Sequence, residues 1–262
     1  MSAPQDILLY EKRDHIATVT LNRPAQRNAL SVALVERLHA IWNSVDDDPG
    51  VRAIVLTGAD CGTFCAGMDL KEAARIRAEQ GVDVLSKLKD PFHECMREVR
   101  KPIIAALNGD LPAGGMMLAL NCDLRVGQRG SRAAITEAQR GRGSPWAVPL
   151  LWQMPQPLLV EMVLTGEWLP IERLYDVGFV NYLEPDAAAV RARARALAER
   201  IRDNAPLSVM AGKESLKKAM TLGCDAGMVE AKRIYKPVYA SEDAIEGPRA
   251  FAEKRKPAWK GR

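Results

Sequence analysis

Along the chain, short runs rich in apolar and β-branched residues alternate with stretches whose apolar positions recur every three or four residues. "HIATVTLN" (15–22), "VRAIVLTG" (51–58), "KPIIAALNG" (101–109), "CDLRVG" (122–127) and "GFVNYLE" (178–184) read as strands. Strands separated by helical segments predict an α/β fold with parallel pairing. The plainest helix follows Ser31, a capping residue: Val35, Leu38, Trp42 and Val45 share one face, and "DDDPG" ends it. From Asp186 the pattern places Val190, Leu197 and Ile201 on one stripe opposite a heavily charged face, and no strand pattern follows Pro206. The last third of the chain is therefore expected to be helical, and no repeat suggests a solenoid.

Two segments share a plan that bears on chemistry. In "KPIIAALNGDLPAGGMM" a buried strand leads through a turn to Gly114 and Gly115 and then an apolar helix; in "AIVLTGADCGTFCAGMDLKE" a buried strand leads through Ala66 and Gly67 to a helix starting at Met68 and Asp69. A helix start exposes unpaired N–H groups at the positive end of its dipole, and glycine lets an outside atom approach them. The same glycines equally suit tight packing of strand on helix. If the two strand ends converge, their N–H groups can polarise one carbonyl oxygen, which makes an oxyanion hole.

These segments, with "LNRPAQRNALS", "LTGEWLP", "GFVNYLEP" and the closing "SEDAIEGPRAFAEKRKPAWKGR", resemble the crotonase superfamily, the enoyl-CoA hydratase/isomerase family, over nearly the whole chain. The resemblance implies a spiral of ββα units over residues 1–200 and a helical trimerisation region over 201–262. It implies a homotrimer or dimer of trimers, and an acyl-CoA thioester as substrate, with CoA part of that substrate and no separate cofactor. Carried onto this chain, the oxyanion donors are the N–H groups of Met68 and Gly114. The expected CoA-binding residues are Arg27, Ala29, Ala66, Asp69, Leu70, Lys71 and Lys254, the last reaching a neighbouring subunit's ligand.

A backbone oxyanion hole moves no proton, so a side-chain acid or base is needed beside it. Hydratases of the family carry two glutamates. At the position of the first this chain has Met117, and at the second, in "AAITE", it has Glu137. On its residues alone Glu137 reads as a surface acid beside Arg140 and Arg142; the resemblance makes it the acid/base, with a pKa raised by apolar walls. Hydration of a 2-enoyl-CoA is the first expectation. The loss of the second carboxylate favours the alternative of a Δ3,Δ2-enoyl-CoA isomerase or another lyase using a single glutamate. In "AQRGRGSPWAVPLLW", Arg140, Arg142 and Trp146 replace small or apolar residues of the family and are expected to reshape the acyl pocket.

Composition adds boundaries. With 262 residues, 47% of them apolar, the chain can bury a sizeable core, and its formal charge of +4 is mild. A CoA- or RNA-binding role with little catalysis is a further alternative, but no lysine stripe with interleaved aromatics supports nucleic acid as a partner. Five cysteines without a CxxC pair read as reduced thiols, and no metal site is expected. No apolar run nears the ~18 residues of a spanning helix, and the first residues lack signal-peptide features, so a cytoplasmic protein is expected. His15, His39 and His93 match no catalytic position and read as a strand, a helix-face and a surface residue.

Overall fold

A computed structural model describes residues 6–262; the first five residues, on which part of the leader-peptide reading rests, lie outside it. The chain runs β1 (Leu8–Arg13), β2 (Ile16–Leu21), α1 (Val32–Asp47), β3 (Ala53–Gly58), α2 (Leu70–Gln80), β4 (Ile103–Leu107), β5 (Leu111–Pro112), α3 (Gly114–Leu120), β6 (Leu124–Gln128), β7 (Arg132–Ala134), α4 (Gln156–Thr165), β8 (Leu169–Pro170), α5 (Ile171–Asp176), β9 (Tyr182–Glu184), α6 (Ala187–Arg202), α7 (Pro206–Tyr239) and α8 (Glu242–Ala252). Six strands form one sheet in the order β1-β2-β3-β4-β6-β9, antiparallel at β1/β2 and parallel elsewhere. The short strands β5, β7 and β8 form a second sheet. After β3 the chain passes repeatedly between the two sheets, which is the ββα spiral.

All five sequence-read strands exist, with the last shortened to Tyr182–Glu184. Strand β1 escaped notice because five of its six residues are exposed, and it turns into β2 through Asp14 and His15, both at positive φ (51° and 62°). That two-residue left-handed turn matches the twist of the hairpin. His15 thus sits in the turn, next to the strand. β3 and β4 are buried on both faces, as continuous apolar runs require. Their alternate residues serve two cores. Ile54, Leu56, Ile103 and Ala105 face a large core with α1, whose Ser31 accepts from the Leu34 N–H as its cap. Ala53, Val55, Ile104 and Ala106 face a smaller one under Val190, Ala194 and Leu197 of α6.

At the far end of α3, the buried Arg125 donates from its guanidinium to the carbonyls of Ala119 (3.0 Å), Cys122 (2.7 Å) and Phe179 (2.5 Å) and lies 4.4 Å from the Phe179 ring centre. Of these, the Ala119 carbonyl lies in the last turn of α3. The C-terminal third is helical, as expected. Within α7 the backbone reverses at Gly223 (φ 74°, ψ −177°). The two arms run side by side: a Cβ on Gly227 would lie 3.1 Å from Ala219, and one on Gly212 3.3 Å from the Tyr235 hydroxyl. Lys213 anchors the first arm to the sheet, donating to Asp123 (2.7 Å) and to the Lys101 carbonyl (3.0 Å).

His93 corrects the sequence reading. It is fully buried, not at the surface, and neither ring nitrogen has a hydrogen-bond partner among the described residues. Burial lowers its pKa to about 4. Because the unfolded chain takes up this proton near pH 6.5 and the folded one only near 4, stability is level above about 6.5 and falls as pH drops through that window. Urea unfolding should show His93 costing about 2 kcal/mol between pH 7.5 and 5. His93→Gln should flatten that part of the pH slope; an unchanged slope would contradict the assignment.

Candidate active site

The site forms where β3 and β4 end. Asn108, just past β4, donates to the Gly58 carbonyl (2.7 Å) and to Asp60 (3.1 Å), while its side-chain oxygen accepts from the Gly58 N–H (3.1 Å). Asn28 donates to the carbonyls of Ala59 and Thr63 (both 2.9 Å). The two amides fold the 59–64 loop back over the strand end and fix the direction in which the chain runs on to Met68.

The two glycine segments converge. A Cβ on Gly67 would lie 2.9 Å from the Gly114 nitrogen, and one on Gly114 2.9 Å from the Gly67 Cα, so no side chain fits between them. Gly67 is also at φ 82°, a conformation that glycine adopts readily. Met68 pairs with Leu30 in a parallel bridge that uses the Gly67 carbonyl and the Asp69 N–H. The Met68 N–H has no backbone acceptor among the described residues. Gly114 is the first residue of α3, so its N–H has no acceptor one turn back. The two free donors border one cavity of about 360 Å³.

Glu137 lines the same cavity. Its side-chain Oε1 accepts from the Trp146 indole N–H at 3.1 Å, and its Oε2 is buried without a partner among the described residues. Burial raises the carboxyl pKa above its ordinary value, partly offset by hydrogen bonds that favour the charged form. Met117 also faces the cavity, whereas Met116 is wholly buried in the core. Val84, Leu85, Leu88, Pro91 and Phe92 form an apolar wall. Arg142 ties that wall to the loop after Glu137 by pairing both guanidinium nitrogens with Asp83, one of them at 2.9 Å. The bond from Arg142 holds the Asp83 carboxyl down at about 2.

This arrangement can polarise a carbonyl and exchange a proton beside it. The model of the family described as enoyl-CoA hydratase/isomerase matches residues 11–262. The chain belongs to the enoyl-CoA hydratase/isomerase family. Enoyl-CoA hydratase EchA19 of Mycobacterium tuberculosis is 36% identical, over 97% of this chain and 96% of its own length. The (E)-benzylidenesuccinyl-CoA hydratase of Thauera aromatica is 35% identical over 96% and 98%. The crystal structure of an enoyl-CoA hydratase from Bacillus anthracis superposes with a TM-score of 0.91 at 30% identity, covering 98% and 100% of the two chains.

Of the residues assigned to the site from the family resemblance, Arg27, Ala66, Met68, Leu70, Gly114 and Glu137 border the cavity. Ala66 also donates to the Arg27 carbonyl at 3.0 Å, which joins the two stretches expected to hold CoA. Ala29 is buried and accepts from Arg23 through its carbonyl. The Asp69 carboxylate caps α2 and pairs with Arg23 at 2.9 Å, so it acts within the protein. Lys71 and Lys254 are exposed and lie away from the cavity lining. Sequence reasoning missed one further wall group: Asp110 pairs with Arg132 at 3.1 Å, and the Arg132 guanidinium lies 4.8 Å from the Trp168 ring centre. Partners distant in sequence gave no signal there.

Outside this cavity, His39, Asp90 and Cys95 bring possible metal ligands within 4.8 Å of one another. Both Asp90 oxygens already accept from the Glu94 and Cys95 N–H groups (2.9 Å each), and burial pushes the Cys95 thiol up to about 12.

Gly114→Ala must displace one backbone from the other. With crotonyl-CoA we expect kcat to fall by about 10²–10³-fold, the usual cost of losing one oxyanion donor, while circular dichroism stays that of a folded protein. An unchanged kcat would remove Gly114 from the site.

Proposed function

We propose that the protein is an enoyl-CoA hydratase acting on a 2-enoyl-CoA, with Glu137 as its acid/base. The observation that carries this reading is the buried, half-partnered Glu137 carboxyl on the cavity that the Met68 and Gly114 N–H groups border. The thioester oxygen accepts from both N–H groups, so charge moving onto it in the transition state is stabilised. Water adds to C3; Glu137 takes a proton from that water and delivers one to C2. Atoms and charge balance with one carboxyl alone, and the reaction needs no cofactor, since CoA is part of the substrate. We assign Arg27, Ala66 and Leu70, which border the cavity, to the CoA moiety, and Lys254 to that of a neighbouring subunit in a cytoplasmic trimer or dimer of trimers.

One observation favours a second reading. Met117 puts a thioether where a second carboxylate would orient water. A lone Glu137 would serve a Δ3,Δ2-enoyl-CoA isomerase equally well, taking a proton from C2 and returning it at C4.

Crotonyl-CoA in deuterated buffer, with a 3-enoyl-CoA in parallel, separates these readings through loss of the enoyl absorbance and deuterium at C2. Hydration of crotonyl-CoA is expected, and conversion of the 3-enoyl substrate alone would establish the isomerase. Glu137→Gln should reduce either activity by at least about 10²-fold, the lower range for general acid–base groups. Met117→Glu should raise hydration; no gain would show that the water position is filled.

The assembly has its own support. Leu216, Val229, Ile245 and Phe251 of the C-terminal helices are exposed by 70–87%. Apolar side chains so exposed suit contacts between copies. Light scattering should give three or six times 28.8 kDa; a monomer mass would sink the trimer.

A further inference from the structure

The bond between Trp146 and Glu137 does more than fill space. An indole N–H can only donate. While it points at Oε1, that oxygen is held as an acceptor, and a proton taken up by the carboxyl belongs on the other oxygen. That other oxygen, Oε2, is the buried one with no partner among the described residues. The geometry is fixed from both ends. Trp146 is 8% exposed and packs into the large core. Pro145 before it opens a 3₁₀ turn and, being proline, offers no N–H of its own to the carboxyl. The Glu137 carbonyl accepts from the N–H groups of Arg140 and Arg142 (2.9 Å each), which closes the loop between the two partners. The Asp83–Arg142 pair braces that loop from the opposite wall.

We propose that Trp146 is a positioning residue whose indole N–H holds Oε1 of Glu137 as an acceptor and so fixes the orientation of the carboxyl on the cavity. This rests on Glu137 being the acid/base. Loss of the indole donor leaves the carboxyl free to rotate and to hold its proton on either oxygen. The N–H also favours the carboxylate form, so its removal shifts the Glu137 titration to higher pH.

The test uses the full-length protein labelled with ¹⁵N-tryptophan. It has five tryptophans, hence five indole N–H resonances, and the one missing from Trp146→Phe belongs to Trp146. That resonance is expected to move with pH in a single titration in the wild type and to stay still in Glu137→Gln. In Trp146→Phe, kcat should fall about 10- to 100-fold with KM within about threefold, in line with loss of orientation, and the acid limb of the kcat profile should move to higher pH. A pH-independent Trp146 resonance, a titration that survives in Glu137→Gln, or an unshifted profile in Trp146→Phe would overturn the proposal. Should Trp146→Phe fail to fold, the comparison of wild type with Glu137→Gln decides alone, the Trp146 signal then being the one that titrates only in the wild type. The spectroscopic readout needs no substrate. A titrating indole in a protein inert to every enoyl-CoA would refute the hydratase reading and leave the hydrogen bond standing.

Discussion

The closeness of two backbones governs this site. Gly67 and Gly114 approach so nearly that a single added carbon would overlap the facing chain, and this contact is possible only because two parallel strands, β3 and β4, end side by side. Everything that brings the ends into register therefore contributes to the chemistry. The continuous apolar runs place both strands in the middle of the sheet, between two cores. Asn28 and Asn108 then turn the emerging chain, through side-chain hydrogen bonds to Gly58, Ala59, Asp60 and Thr63. The free N–H groups of Met68 and Gly114 come at the end of this chain of constraints, and need no side chain of their own.

Much of this was legible in the sequence, because the deciding features are local. Buried parallel strands announce themselves as unbroken apolar runs, the α1 cap as a serine before a three-four pattern, and a close backbone approach as glycine at a helix start. The converse held for features built from distant partners. Strand β1 exposes most of its residues and so lacks an apolar pattern. The strands of the second sheet are too short to have one. The burial of His93, the reversal at Gly223 and the Asp110–Arg132–Trp168 wall depend on what packs alongside, which no local pattern records. Asp69 shows the same limit from the other side: its place beside the glycines marked it for the site, yet Arg23, 46 positions earlier, holds it within the protein.

Glu137 illustrates how a family position and its surroundings divide the information. The family position is what proposes it as the acid/base; its neighbours set the surroundings of the carboxyl. Met117 removes one carboxylate from the cavity, Trp146 occupies one oxygen of the other, and the Asp83–Arg142 pair keeps a cation from neutralising it by spending that cation on a different acid. Of the two carboxylates that border the cavity, Asp110 is paired with Arg132, and Glu137 has no ion pair among the described residues.

The far end of α3 has a bearing on the near end. The helix has seven residues, about 10 Å of axis, so the partial negative charge of its carbonyl terminus, roughly half an elementary charge, lies close enough to dull the positive potential at Gly114. Arg125 donates to one of those carbonyls, that of Ala119. The buried cation offsets part of that negative pole, so a residue well removed from the cavity acts on the field at the Gly114 N–H.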